Sequence, residues 1–361
     1  MWMLVFFLLP IAGLVYTLWH LWCLLPLPVM WRGIVLGIGI LAFLTVFLNF
    51  SRAVDDLPLG PASACYEIGN SSIFILLYIV IAFLLLDLGR LCHVVPRSWL
   101  YSNAYTTIAL VVIIVALFTY GYVNYRNKVR QTLELTTTKN IGRDVRIVIM
   151  SDLHLGYHNR RKELARWVDM VNAEKPDLVL LAGDIVDGSL RPVLEDGMAS
   201  ELRRINAPVY ACPGNHEYFG GISRAARFFK QAGITLLRDS VVNEGMLCII
   251  GRDDRSNPYR SSVAELMCKA DSTRFTIVLD HQPYHLERTE RTGADFQFSG
   301  HTHHGQLWPI SWITDAVYEC SFGPWQKGHT RYYISSGMGI WGGKFRIGTR
   351  SEYVVATIKQ L

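Results

Sequence analysis

The sequence predicts a chain in two parts: about four transmembrane α-helices within residues 1–125, then an α/β domain over residues 145–361. The first third of the chain is nearly free of charged residues and contains long apolar runs, which predicts the transmembrane part. In the remainder, short apolar strands alternate with helical patterns, which predicts the α/β domain. Residues 126–144 are polar and are predicted to connect the two parts.

About 20 helical residues cross a hydrocarbon core of about 30 Å, and four apolar runs have close to this length or more. They lie at residues 2–25, 34–50, 73–94 and 104–122. Four such runs in series, with aromatic residues at their ends, favour membrane spans over buried core helices. A cleaved signal peptide is not expected, because the first run has no basic residue before it and no small-residue cleavage site after it.

The membrane face of the second part is predicted from basic residues and cysteines. Three basic residues follow the last run and favour the cytoplasmic side, namely Arg126, Lys128 and Arg130. Three arginines in or beside the opposite loops nearly cancel that bias, namely Arg32, Arg90 and Arg97. The seven cysteines form no CxxC pair, which favours free thiols in a reducing compartment. We therefore expect the second part on the cytoplasmic side.

The charge of the chain bears on its partners. The formal net charge of +5 resides in residues 126–361, because the four basic and four acidic residues before them cancel. A mild basic excess suits an anionic lipid surface or an anionic substrate. The basic residues form no concentrated run, so a nucleic-acid partner is not expected.

The second part begins with strands and helices in alternation. Three predicted strands lie at residues 145–150, 178–181 and 209–211. Helical apolar spacing at residues 162–172 and 193–205 separates them, which is typical of βαβ units. Five further strands are predicted at residues 247–250, 275–279, 296–299, 332–335 and 353–358. This local pattern alone favours a doubly wound parallel sheet.

Polar motifs follow five of these predicted strands, at the ends where open α/β sheets bind their ligands. The motifs are SDLH at 151–154, GD at 183–184, PGNHE at 213–217, DHQP at 280–283 and SGHTHHGQ at 299–306. Together they supply carboxylate, imidazole and amide groups. This mixture suits paired divalent ions such as Mn²⁺, Fe or Zn²⁺.

The spacing within the motifs fits metal ligands. Asp152 and His154 are two residues apart, so both side chains face the same way on an extended exit from a strand. His301 and His303 repeat this spacing. Glycine stands directly before the polar residues of three motifs, where it permits sharp turns or close backbone approach. A single histidine or a lone Gly-Asp pair is more often structural, but five motifs in a fixed order favour a metal centre.

The order of these motifs resembles that of the calcineurin-like metallophosphoesterases, whose pattern is DxH, GD, GNH[DE], H and GHxH. The resemblance covers about residues 145–361. The segments GNHEYFGG, SGHTHHGQLWP and SSGMGIWGGKFRIG are most similar to a bacterial branch whose members carry membrane anchors or export signals. The resemblance implies a four-layer αββα β-sandwich with the metals at one sheet edge, in place of a doubly wound sheet.

The resemblance also implies a role for each site residue. The residues implied to bind a first ion are Asp152, His154, Asp184 and His303. The residues implied to bind a second ion are Asp184, Asn215, His281 and His301, so Asp184 would bridge the two. His216 is implied to be catalytic and to donate a proton to the leaving oxygen. The implied cofactors are two divalent metal ions, with Mn²⁺ preferred and Fe or Zn²⁺ as alternatives.

The implied function is that of a membrane-anchored, metal-dependent hydrolase of a phosphodiester or pyrophosphate bond. The predicted spans favour a lipid-linked or membrane-associated substrate, such as a phospholipid or a UDP-linked acylated sugar, and the bilayer itself as a partner. The alternatives are a nucleotide or cyclic-nucleotide phosphodiesterase and, further off, a non-catalytic membrane scaffold. The expected location is the bacterial inner membrane, and the sequence predicts no oligomeric state.

Overall fold

The computed structural model of the chain describes residues 2–51 and 53–361, without the side chains of residues 2–7. Met1 and Arg52 fall within the predicted transmembrane part and lie outside the described residues. The chain forms two compact units. The helical unit contains the residues up to Val123 together with Gly342–Lys344, and the sheet unit contains Asn124–Trp341 and Phe345–Leu361.

Long helices form the helical unit, namely α1 Trp2–Leu24, α2 Val29–Ser51, α3 Leu59–Leu91 and α4 Ala104–Arg126. Helices α2, α3 and α4 are long and apolar enough to cross a membrane, which confirms that three of the predicted apolar runs form helices of spanning length. The described apolar part of α1 is the shorter segment Leu8–Leu24. At 1.5 Å per residue, α2 and α4 are each about 35 Å long, which exceeds a hydrocarbon core of about 30 Å.

Helix α3 is longer than the apolar run that predicts it. It begins at Leu59, and its only proline, Pro61, lies in the first turn, where a missing N–H removes no helical hydrogen bond. A polar contact joins α3 to α1 inside the unit. Asp87 accepts a hydrogen bond of 2.7 Å from the Tyr16 hydroxyl and lies 3.0 Å from His20 Nε2.

The sheet unit contains two six-stranded sheets. The strands are β1 Lys128–Thr137, β2 Val145–Met150, β3 Leu178–Ala182, β4 Val209–Cys212, β5 Ile234–Leu236, β6 Ser240–Glu244, β7 Leu247–Gly251, β8 Phe275–Leu279, β9 Phe296–Ser299, β10 Gly323–Lys327, β11 Thr330–Ile334 and β12 Ser351–Gln360. The first sheet has the order β1-β12-β2-β3-β4-β5, and the second has the order β10-β11-β9-β8-β7-β6. Strands β2 to β5 are parallel to one another, as are β7, β8 and β9.

The helices of the sheet unit are α5 Arg161–Ala173, α6 Arg191–Glu195, α7 Met198–Leu202, α8 Asn215–Gly220, α9 Ile222–Gln231, α10 Val263–Met267, α11 Leu286–Glu290 and α12 Ile310–Val317. Helices α5, α6, α7 and α9 pack on the outer face of the first sheet, and α10 packs on that of the second. Neighbouring residues of β2 pack into two different hydrophobic cores. Val148 packs in the cluster that contains Trp167 of α5. Ile149 packs between the sheets in the cluster that contains Ile277 of β8. On the far side of the second sheet, Val278 packs with Leu266 of α10.

These layers confirm the four-layer αββα sandwich and exclude the single doubly wound sheet that local patterning favours. Because β2 and β3 are covered on both faces, their residues are almost all apolar, and their predicted bounds agree closely with the observed ones.

Two predicted segments differ from the structure. Residues 128–137 of the predicted connector form β1, which pairs in parallel with β12 at the edge of the first sheet. An edge strand with one solvent-facing side carries alternating polar residues, so its sequence reads as polar. The single helix predicted at 193–205 is two helices, α6 and α7, because Gly197 between them adopts a left-handed conformation with φ of 60°.

Candidate metal centre

The ends of five strands, β2, β3 and β4 of the first sheet and β8 and β9 of the second, bring the predicted site residues together. They form three overlapping groups of potential ligands, and the ligand atoms within each group lie within 4.8 Å of one another. The groups are Asp152 with His154 and His303, His154 with Asp184 and His216, and Asp184 with His281 and His301. The remaining predicted ligand, Asn215, is the first residue of α8, directly before His216.

The ligand atoms face one another at short range. His154 Nε2 and His303 Nε2 are 3.1 Å apart, and His303 Nε2 lies 3.3 Å from Asp152 Oδ1. Asp184 Oδ2 lies 3.1 Å from His281 Nε2 and 3.8 Å from His154 Nε2. Asp184 is therefore close to ligand candidates of both predicted ion sites.

Unsatisfied polar atoms test whether these residues fit metal ions. Asn215 Oδ1 and His281 Nε2 are both buried without a hydrogen-bond partner. His281 Nδ1 lies 2.8 Å from the carbonyl oxygen of Ala182, which only accepts, so Nδ1 carries the proton and Nε2 is free to bind a cation. A backbone carbonyl is one of the usual hydrogen-bond partners for the other ring nitrogen of a metal-binding histidine. Buried acceptors of this kind, beside buried carboxylates, fit divalent cations.

The backbone of the site is strained. Five of the predicted ligands have left-handed φ values, namely Asp152 at 55°, His154 at 44°, Asp184 at 49°, His301 at 71° and His303 at 48°. Non-glycine residues in this region cost about 1–3 kcal/mol each, and such residues cluster at functional sites. The fold therefore holds these side chains in place against local backbone preference.

Two glycines allow the close approach that their motifs predict. A Cβ atom on Gly214 would lie 2.2 Å from Asp184 Oδ1, and one on Gly300 would lie 2.2 Å from Asp152 Oδ2. No side chain fits at either position without moving a carboxylate. The glycines of the GNH and GHTH motifs are thus required by the packing of the site.

Glu217 anchors the turn that presents Asp184. Its buried carboxylate accepts hydrogen bonds from the backbone N–H groups of Asp184, Ile185, Val186 and Gly214, at 2.6–3.0 Å. Burial raises the pKa of Glu217 to about 7, with a further contribution from the negative charge of Asp184. Sequence reasoning gave this residue no role, although it closes the GNHE motif.

His216 lies beside the cluster with its ring oriented by Asp187. His216 Nδ1 is 2.8 Å from Asp187 Oδ1, and Nε2 is 4.0 Å from Asp184 Oδ2. Burial alone would lower the pKa of His216, but the charge of Asp184 and the hydrogen bond with Asp187 outweigh it and raise the pKa to about 9. Asp187 was missed from the sequence, although it follows the GD motif by three residues.

Arg346 supports His303 from behind. Its side chain is fully buried, and Nη1 donates a 2.7 Å hydrogen bond to the carbonyl oxygen of His303. Nη2 donates to the carbonyl oxygen of Gly339 at 2.9 Å, and Nε donates to Ser351 Oγ at 3.2 Å. Arg346 lies within the SSGMGIWGGKFRIG segment, but the segment alone gave it no role, and its contact with His303 is seen only in the fold.

Comparison with known proteins assigns the chain to a family. Residues 145–305 match the family model described as calcineurin-like phosphoesterase. An uncharacterized metallophosphoesterase of Aquifex aeolicus is 31% identical over 228 residues, which cover 60% of this chain and 86% of that protein. An uncharacterized metallophosphoesterase of Campylobacter jejuni is 28% identical, covering 61% of this chain and 60% of that protein. The transmembrane protein with metallophosphoesterase domain of Danio rerio is 27% identical over 312 residues, covering 78% of this chain and 71% of that protein.

The chain belongs to the calcineurin-like metallophosphoesterase family, and it combines the family's domain with apolar helices that can span a membrane. Its relatives include bacterial and animal proteins, so the similarity is not confined to a bacterial branch. The chain spans about 60% of the length of the Campylobacter relative.

Proposed function

We propose that the sheet unit is a metal-dependent phosphoesterase that holds two divalent ions at the strand ends. The proposed ligands of the first ion are Asp152, His154, Asp184 and His303. Those of the second ion are Asp184, Asn215, His281 and His301. The observation that carries the proposal is the overlap of the ligand groups, in which Asp184 belongs to two groups while Asn215 Oδ1 and His281 Nε2 are buried without a hydrogen-bond partner.

The chemistry divides between the ions and the protein. Two bound divalent ions supply Lewis-acid activation of a phosphoryl group and lower the pKa of a coordinated water. Asp187 orients the His216 ring through Nδ1, so His216 Nε2 is directed toward the site and can hold a proton for a leaving oxygen. A positioned proton donor matters most for alkoxide and phosphate leaving groups. The proposed reaction is therefore hydrolysis of a phosphodiester or pyrophosphate bond.

The membrane helices support a proposal for the substrate and the location. Helices α2, α3 and α4 can cross a bilayer, which would keep the site near lipid-linked molecules. We place a phospholipid or a UDP-linked acylated sugar first among substrates and Mn²⁺ first among metals. The proposed location is the cytoplasmic face of a bacterial inner membrane, which agrees with the free state of the seven cysteines, all within the described residues.

The test is hydrolysis of bis(p-nitrophenyl) phosphate by the full-length protein in detergent, with and without added Mn²⁺. Wild type should require the metal, and Asp184→Asn should lose most of the activity because Asp184 contributes to both proposed ion sites. Screening phospholipids, UDP-linked acylated sugars and cyclic nucleotides in mixed micelles would then rank the substrate classes. Metal-bound wild-type protein that hydrolyses none of these esters would contradict the proposal.

A further inference from the structure

The last turn of the last apolar helix belongs to the sheet unit. Helix α4 ends at Arg126 and β1 begins at Lys128, so one residue separates them. The sheet unit begins at Asn124, within the final turn of α4. Residues of a membrane-spanning candidate are therefore part of the framework that also holds the metal centre.

Tyr125 is linked through one residue to the loop that carries His154. The side chain of Tyr125 is fully buried, and its hydroxyl donates a 2.6 Å hydrogen bond to Asn159 Oδ1. Asn159 is also fully buried, and its Nδ2 donates to the carbonyl oxygens of Leu153 at 2.8 Å and His154 at 3.2 Å. Asn159 thereby ties Tyr125 to the backbone of the DxH motif.

Asn124 is linked in the same manner to the loop that carries His303. Its Nδ2 donates hydrogen bonds to the carbonyl oxygens of Arg346 at 2.9 Å and Thr349 at 2.7 Å. Arg346 in turn donates to the carbonyl oxygen of His303 at 2.7 Å, and Thr349 Oγ1 donates to that of Gln306 at 2.6 Å. Asn124 thus fixes the turn that supports the GHTH loop.

We propose that Tyr125 and Asn124 are positioning residues for the first ion site. The two loops that they support carry His154 and His303, whose Nε2 atoms are 3.1 Å apart and belong to the same ion site. Both histidines have left-handed backbone conformations, with φ of 44° and 48°, which require support from surrounding hydrogen bonds. The end of the last apolar helix is then a structural part of the metal centre and more than an anchor.

This inference rests on the proposed function, because His154 and His303 are ligands only if the site binds metal. It goes further in assigning a role to residues that touch neither the ions nor the substrate. Such outer partners orient ligands, and their loss typically lowers metal affinity by about 10–100-fold. Tyr125 acts through Asn159, so the effect expected for its hydroxyl is at the lower end of that range.

The experiment measures Mn²⁺ binding to full-length protein in detergent by equilibrium dialysis and metal analysis. Tyr125→Phe removes only the hydroxyl and should weaken Mn²⁺ binding at one of the two sites by about 10-fold. Tyr332→Phe is the matched control, because Tyr332 of β11 is also buried and its hydroxyl donates a 2.9 Å hydrogen bond to the carbonyl oxygen of Leu286 in α11. The control should bind Mn²⁺ like wild type. Saturating Mn²⁺ should restore the hydrolysis rate of Tyr125→Phe.

A second variant, Asn124→Ala, tests the other link and should also weaken Mn²⁺ binding at one site. Wild-type affinity in both Tyr125→Phe and Asn124→Ala would overturn the inference while leaving the proposed function intact. Equal losses in Tyr125→Phe and Tyr332→Phe would overturn it as well, because the effect would then be general destabilisation. Wild-type protein that binds none of Mn²⁺, Fe²⁺ and Zn²⁺ would overturn the proposed function together with this inference.

Discussion

At the scale of single residues, His216 differs from the fully buried histidines of the centre. It is partly exposed, as His301 is, with 21% of its side chain accessible, whereas those of His154 and His281 are at most 1% accessible. Its Nδ1 is hydrogen-bonded to Asp187 Oδ1, and its Nε2 lies 4.0 Å from Asp184 Oδ2. A side chain with one nitrogen bound and the other directed toward the site is suited to proton donation. It nevertheless lies close enough to His154 and Asp184 to form a ligand group with them.

Replacing His216 by Asn separates these two roles. We expect His216→Asn to retain its bound metal and to lose roughly 10²–10⁴-fold in rate on alkyl phosphodiesters, which is the usual contribution of a positioned acid. The loss on bis(p-nitrophenyl) phosphate should be smaller, because p-nitrophenolate leaves without a proton. Rates on both esters and metal content per chain are the measurements.

The control for this variant is His329→Asn, because His329 is exposed in the turn between β10 and β11. It should match wild type on both esters. Equal losses of His216→Asn on alkyl and aryl esters would argue against a leaving-group role. Loss of metal would instead make His216 a ligand.

At the scale of elements, the turns after β3 and β4 are built as one piece. Glu217 of α8 accepts hydrogen bonds from the backbone of both turns, and the N–H of His216 donates to Asp184 Oδ1 at 2.9 Å. Gly214, directly before α8, lies against Asp184. Because glycine has no Cβ atom, there is room for the carboxylate of Asp184. The position of Asp184 thus depends on the neighbouring turn as much as on its own.

Adding one methyl group at Gly214 should therefore disturb the metal centre. A Cβ atom there would lie 2.2 Å from Asp184 Oδ1 and 2.6 Å from its backbone nitrogen, so the carboxylate must move. We expect Gly214→Ala to lower metal affinity by about 10–100-fold and to cost about 1–3 kcal/mol in the free energy of unfolding. Metal titration and thermal unfolding measure the two effects.

Gly188→Ala is the matched control, because a Cβ atom on Gly188 meets no atom within 4 Å and Gly188 lies in the loop after Asp184. Similar metal affinities for the two alanine variants would show that the close approach at Gly214 does not constrain Asp184.

The elements also show how far sequence reasoning reaches. Strands β2, β3 and β8 were predicted almost to the residue, because strands covered on both faces are continuous apolar runs. Strands β5, β6 and β10 were missed, because exposed and partly exposed residues make up most of them and they lie toward or at sheet edges. The site residues could be proposed because each follows a predicted strand in a recognisable motif. Their supports could not be proposed in this way: Arg346 bonds to His303 across 43 residues, and Asn159, although close to His154 in sequence, lies outside the DxH motif.

At the scale of the whole molecule, the chain joins helices that can span a membrane to a domain of a hydrolase family. Their connection is short, since one residue separates α4 from β1. If α4 crosses the bilayer, the segment between α3 and α4 and the sheet unit must lie on opposite faces. If the sheet unit is cytoplasmic, as proposed, the segment between α3 and α4 must lie on the opposite, non-cytoplasmic face.

Two native cysteines can report this topology. Cys92 follows α3 and Cys268 follows α10 in the sheet unit, and both are exposed free thiols. In right-side-out membrane vesicles, a membrane-impermeant maleimide should label a variant that retains only Cys92 and should spare one that retains only Cys268. Permeabilising the vesicles should expose Cys268 to the reagent. Labelling of Cys268 alone in sealed vesicles would reverse the proposed orientation, and labelling of both thiols would mean that α4 does not separate them.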